Sequence, residues 1–265
     1  MTWRFATPHG GPPRRALLGG GVLLVALTLS APLVAPEGSL SGALARMAGF
    51  LGHLAVAPDW AWLPELGRRL LETVEMAALA TALAVLLSLP FGLLAARTVS
   101  PHPLVFGACR GLLSLVRALP ELVWALVFVS AAGLGPLPGI LALAVVTTGI
   151  LGKVFAESVE VVDPRTLEGV ATHGAGRLQV FGYAVLPQAL PDLLGSALYA
   201  LDHNVRAAAV LGLVGAGGIG YDMVMAMRLF EYDRLVPIAV AIYLCVTLLD
   251  RASHRLRARV IHGRA

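Results

Sequence analysis

Met76-Ala-Ala-Leu-Ala-Thr-Ala-Leu-Ala-Val-Leu-Leu-Ser-Leu-Pro-Phe-Gly-Leu-Leu-Ala-Ala96 runs for 21 residues without a charge. A helix rises about 1.5 Å per residue, so roughly 20 residues cross a hydrocarbon layer about 30 Å thick. A second charge-free run of 21 residues, Ala16 to Pro36, has the same property. Working outward, the whole 265-residue chain is 57% hydrophobic and 14% charged, with a mean hydropathy of +0.79. A water-soluble domain of this length needs more charge to cover its surface. The expected fold is therefore an all-α, polytopic helical membrane protein.

Six spans are the simplest reading: about 16–36, 70–96, 111–132, 139–160, 190–213 and 235–254. The turn Gly133-Leu-Gly-Pro-Leu-Pro-Gly139 splits a 31-residue uncharged stretch, Leu122 to Gly152, into the third and fourth. Between the first two lies Glu37 to Pro64, whose Trp60 and Trp62 suit a membrane–water interface. Arg14 and Arg15 before an apolar stretch look like a secretory signal, but the stretch is longer than a signal core, so an uncleaved first span is expected. The chain divides into an N-terminal tail, first span and outer segment (1–64), a core (65–260) and a short tail (261–265). With a cytoplasmic N-terminus, twelve arginines fall on the inner side and five on the outer, with Arg117, Lys153 and Arg206 inside spans. By the positive-inside rule both termini are expected in the cytoplasm.

The net charge of +4 sits at the ends of apolar runs, with no basic tract interleaved with aromatics, so anionic lipid rather than nucleic acid is the expected partner. Cys109 and Cys245 form neither a disulfide framework nor a metal spacing, and the seven histidines show no ligand pattern. No metal and no cofactor are expected. Gly215-Ala-Gly-Gly-Ile-Gly220 matches a dinucleotide fingerprint in letters only, because it follows a membrane helix instead of a strand. Gly215, Gly217, Gly218 and Gly220 are read instead as a close-packed turn, hinge or gate near the outer surface.

Three pairs of opposite charge lie four residues apart inside spans: Arg117 and Glu121, Lys153 and Glu157, Asp202 and Arg206. On a straight helix each pair shares a face and screens itself. Lys153–Glu157 reads as a structural pair near the inner end of its span. Arg117, Glu121, Asn204 and Arg206 are expected deeper, where ionisable and polar groups usually face a cavity or a partner. Arginine suits forked hydrogen bonds to an oxyanion, so these four are candidates for lining a translocation route.

Between spans four and five, Asp163 can cap a helix that starts at Pro164, and Gly174 can close it in the left-handed conformation. A second short helix, about 176–184, is expected before Pro187. This loop resembles the signature of ABC importer permeases: Glu-Ala-Ala, three residues, Gly, nine residues, then Ile, any residue, Leu-Pro. Here the spacing is intact and Glu168, Gly174, Leu186 and Pro187 match, while Gly169, Val170 and Ala184 depart from it. Arg117 to Val129, Gly152 to Ser158, Asn204 to Gly212 and Val214 to Gly220 resemble the phosphonate type specifically.

The resemblance implies a type I permease fold in a bacterial inner membrane, carrying a phosphonate or related phosphorus oxyanion. It implies no catalysis by this chain. It also implies a separate ABC ATPase that engages Glu168, Gly174, Leu186 and Pro187, a periplasmic substrate-binding protein and a second copy of the chain. Two alternatives stand beside this reading. An ATP-independent carrier or channel would leave the capped loop without a partner, and an intramembrane lipid-processing enzyme would need clustered acids, histidines or a nucleophile at one depth.

Overall fold

The computed structural model describes residues 19–21, 25, 28, 40–53, 57 and 59–262. The expected span at 16–36 and the end of the C-terminal tail, 263–265, lie mostly or wholly outside that set. Among the described residues there is no strand. The chain forms two compact units, Met1–Ala55 and Val56–Ala265. In the first, a helix α1 (Leu40–His53) exposes Leu44, Met47 and Leu51 at helical spacing. Such a stripe suits the membrane surface.

The second unit starts at Val56. Asp59 fastens its beginning: its amide donates to the Asp233 carbonyl at 3.3 Å, and its carboxylate meets Arg234 at 3.5 Å. After a short 3-10 turn (Trp60–Trp62) come α2 (Leu63–Leu94), α3 (Pro103–Val116), α4 (Glu121–Ala132) and α5 (Pro136–Glu160). Then follow α6 (Pro164–Ala171), α7 (Arg177–Val180), a π-helical turn (Phe181–Val185) and α8 (Leu186–Leu211). A 3-10 turn (Gly212–Val214), α9 (Gly218–Arg228) and α10 (Tyr232–His262) complete the unit.

Helices α2, α5 and α10 are each long and apolar enough to cross a membrane. Counting each of the bent pairs α3/α4 and α8/α9 as one span gives up to five candidate crossings among the described residues. Spans two, four and six thus fall where expected, and span five begins inside α8 and ends in the 3-10 turn after it. Span three does not form as one straight helix. Its halves meet at 84°, because Pro120 starts α4 in an extended conformation while Arg117 caps α3.

The centre of the bundle is α2 against α5. Lipid tails are as apolar as leucine, so helices in a membrane associate through close packing, and small residues allow it. Ala77, Ala80, Ala84, Ser88 and Gly92 make one buried face of α2. Opposite them lie Gly139, Ala142 and Ala156 of α5, while Gly149 and Gly152 of the same helix make room for Leu113 and Val116 of α3. At Gly92 an added methyl would stand 2.9 Å from the Gly152 carbonyl oxygen, so this contact is backbone on backbone. Ser88 donates across it to the Thr148 carbonyl at 3.3 Å.

Candidate functional site

At the end of α5 the chain leaves the bundle and folds a stiff knob. The Asp163 carboxylate accepts from the Arg165 amide at 2.9 Å, and Pro164 takes the first helical position of α6, where no amide donor is needed. The far end of α6 is closed as firmly. The Thr172 hydroxyl and the His173 imidazole both bond the Gly169 carbonyl at 2.8 Å, one of the orphan acceptors of a helix terminus. Gly174 then turns the chain at φ +79°, a conformation that glycine adopts without strain. Glu168 stands exposed on this capped helix.

The second half of the loop differs from expectation. Instead of a separate helix over 176–184 that stops before Pro187, α7 passes through one π-helical turn straight into α8. The Leu186 amide donates to the Phe181 carbonyl, five residues back. A π turn widens the helix by one residue at the point where Pro187 lacks an amide hydrogen and crowds the preceding turn. Leu186 and Pro187 therefore join the knob rigidly to a membrane span.

The knob is seated by apolar contact. Val162 and Val185 are buried in one cluster with Ala95, Ala96, Val159 and Ala189, and Leu167 and Phe181 pack against it. Beside it, Glu160 accepts from the Arg97 amide at 2.6 Å and from the Arg110 guanidinium at 3.2 Å. Both guanidinium groups lie over the Phe106 ring, at 5.6 and 4.9 Å from its centroid. These residues fasten α2, α3 and α5 together where the knob begins. None was singled out from sequence, because their partners are 50 and 63 positions apart.

The four candidate route residues are not one group. Arg117 and Glu121 flank the α3/α4 bend, so they share no helix face, and among the described residues they form no ion pair. A depth counted along a straight helix does not apply to Glu121. Asn204 is fully buried and ties three helices together. Its carbonyl oxygen accepts from Thr147 of α5 at 2.8 Å, its amide donates to Thr81 of α2 at 2.9 Å, and Thr81 donates to the Ala77 carbonyl. In this arrangement Asn204 is enclosed between α2, α5 and α8. Arg206 pairs with Asp202 as the spacing indicated, and its side chain is 47% exposed while that of Asp202 is 8% exposed. Lys153 and Glu157 form the expected pair at 3.6 Å, with both side chains partly exposed.

The glycine loop is clamped at the opposite end of the bundle from the knob. Gly215, Gly217 and Gly218 all have positive φ. The Gly218 and Ile219 amides donate to Glu72 and Thr73 of α2, and the Gly135 amide donates to the Gly215 carbonyl. At Gly220 an added methyl would overlap the Ala209 carbonyl oxygen, which makes glycine obligatory for α9 to fold back on α8. Arg69 of α2 meets Asp222 of α9 at 3.4 Å. Among the described residues no group of His, Cys, Asp or Glu could hold a metal.

Apolar crossing helices, a clamped glycine loop at one end and a capped knob at the other are the build of a membrane-embedded transport subunit. The chain belongs to the family of binding-protein-dependent transport system inner membrane components, whose model matches residues 88–262. It is a transport component and not an enzyme. Over 203 residues, 77% of this chain and 74% of the relative, it is 42% identical to the phosphite transport system permease protein PtxC of Stutzerimonas stutzeri. It is 44% identical over 190 residues to the phosphate-import permease protein PhnE of Mycolicibacterium smegmatis; these are 72% of this chain and 36% of that one. An inward-facing structure of the MetNI methionine ABC transporter matches with a TM-score of 0.66 at 21% identity, over 76% of this chain and 99% of that one. That likeness concerns the fold, and it agrees with the expected type I permease architecture.

Proposed function

We propose that this chain is the membrane-spanning subunit of an ATP-driven importer for a phosphorus oxyanion of the phosphite, phosphate or phosphonate class. The observation that carries the reading is the knob: α6 is capped at both ends, exposes Glu168 and is fixed to α5 and α8 by buried apolar contacts. A helix so secured transmits a push. A knob without a partner would have no use for such stiffness. In this reading a separate ATPase receives α6, with Glu168, Gly174, Leu186 and Pro187 forming or bracing the joint. A periplasmic binding protein delivers the ligand at the glycine-loop end, and two copies of the chain enclose one path in a lipid bilayer. Both termini are cytoplasmic, in keeping with the twelve-to-five arginine bias. The oxyanion class is supported by the names of the relatives above and by an arginine inside a span.

The test uses the complete transporter, purified with its ATPase and binding protein and reconstituted in liposomes. Glu168→Ala and Gly174→Val are expected to leave assembly intact and to abolish the stimulation of ATP hydrolysis by loaded binding protein. Unchanged stimulation and uptake in both variants would refute the assignment of the knob.

A further inference from the structure

One face of α8 carries Asp192, Ser196, Tyr199, His203 and Arg206, spaced at i, i+4, i+7, i+11 and i+14, which is one stripe of a 3.6-residue helix. Val205 and Ala208 on the opposite face, and Ala189, Leu193 and Ala200 along one flank of the stripe, are buried. Tyr199 is 57% exposed and the Arg206 side chain 47%, while His203 is half-buried. A groove of about 580 Å³ runs along the first four residues of this stripe between α8 and α5, and Arg206 lies about one turn beyond its lining. Its α8 wall includes Asp192, Ser196, Tyr199 and His203, and its α5 wall includes Thr147, Val154 and Ser158.

Charged and strongly polar side chains on a spanning helix are costly against lipid tails, so they face water or another polar surface. The stripe turns away from its own bundle. Among the described residues His203 has neither a hydrogen bond nor an ion pair, and the Arg206 guanidinium meets only Asp202, through Nη2. Asn204, one position from His203, is locked to α2 and α5 by its two hydrogen bonds. That lock fixes the helix rotation and aims His203 and Arg206 outward.

From this we infer that the α5–α8 groove is a water-filled section of the translocation path in which His203 hands on a phosphorus oxyanion from Arg206. The inference rests on the transport reading above. An imidazole offers an N–H donor in either protonation state, and a guanidinium offers several. Tyr199 and Ser196 add hydroxyl donors further along. Apolar walls of Ile150, Leu151 and Val154 keep the contacts few, as a conduit requires if it is to release what it binds. Asp192 stands at the knob end of the stripe, where its charge opposes re-entry of an anion.

The experiment places single cysteines at 196, 199 and 203, with Leu248→Cys on the exposed face of α10 as the lipid control, in a background in which Cys109 and Cys245 are replaced. The reconstituted complete transporter is treated with a charged, membrane-impermeant thiol reagent, with and without phosphite, inorganic phosphate or methylphosphonate. Positions 199 and 203 are expected to react at least about tenfold faster than 248, since water and not lipid covers them. At least one of the three anions should slow the reaction. Rates equal to the control would overturn the water path. Fast labelling that no anion slows would overturn the oxyanion assignment.

His203→Gln, which keeps an N–H donor, should retain most uptake. His203→Leu should lose about tenfold, the worth of one charge-assisted hydrogen bond, and equal uptake in both variants would remove His203 from the path. Stimulation of ATP hydrolysis by binding protein in the same preparations separates the two readings. Stimulation without labelling sinks the groove alone, whereas absent stimulation sinks the transporter assignment and with it the oxyanion path, leaving only a water-filled groove if labelling is fast.

Discussion

Asn204→Leu replaces the amide by two methyl groups of nearly the same shape and so isolates the polar knot between α2, α5 and α8. The side chain is fully buried, and the substitution removes a 2.8 Å bond from Thr147 and a 2.9 Å bond to Thr81. Interhelical hydrogen bonds in membrane proteins average about 0.6 kcal/mol and reach about 1.7, so the loss of two is expected to cost about 1–3 kcal/mol. Part of this is recoverable. Thr147 can turn its hydroxyl to its own helix, as its neighbour Thr148 already does to the Ala144 carbonyl at 2.6 Å. Thr81 keeps its bond to Ala77. The assay is unfolding of the purified subunit in mixed micelles for Asn204→Leu, Thr147→Val and the double variant. The coupling expected between them is about 0.6–1.7 kcal/mol, the range of one such bond. Uptake per assembled transporter should show an unchanged KM, because a buried knot touches no ligand. Strictly additive stabilities would refute the knot, and a raised KM at unchanged stability would return Asn204 to the route.

Two further substitutions test the ends of the bundle. Gly220→Ala sets a methyl against the Ala209 carbonyl oxygen and forces the α8–α9 turn apart; overpacking of this kind costs about 1–3 kcal/mol, and the yield of folded protein in detergent should fall, whereas Gly107→Ala, where nothing lies near the added methyl, should behave as the parent. Asp163→Ala removes the cap of α6 and about 1 kcal/mol of local stability, so amide exchange across 165–168 should accelerate about fivefold while exchange in α5 stays unchanged; equal protection in both proteins would mean that the cap does not hold the knob.

The features that were legible in the sequence depend on short-range chemistry. Charge-free runs gave the crossings, Gly133 to Gly139 gave the α4–α5 turn, and Asp163, Pro164 and Gly174 gave the knob. What stayed hidden needed neighbours far away in the chain. Asn204 finds Thr81 and Thr147 at separations of 123 and 57 residues, and a polar residue in a span reads the same from sequence whether it lines a path or ties a core. The α3/α4 bend was hidden for another reason: hydropathy continues across it, and only Pro120 marks the break. Taken as a helix-start signal, Pro120 would have separated Arg117 from Glu121. Likewise Pro187 signals a helix start, yet the π turn before it carries the helix through, an outcome decided by Val185 and Ala189 packing into the core.

The same packing decides how motion at one end can reach the middle. One buried cluster holds Val162 and Val185 of the knob region together with Leu151 of α5 and Ala200 of α8, and Leu167 of α6 packs against it. Leu151 and Ala200 also line the α5–α8 groove. Close-packed interiors deform little and shift between discrete arrangements, so a load on α6 acts on α5 and α8 as bodies. Beyond the cluster the two helices are tied again by Asn204 and Thr147, at the deep end of the groove. Between a driven end and a tied end, the change open to this pair is in the angle between them, which widens or narrows the groove at the knob side first.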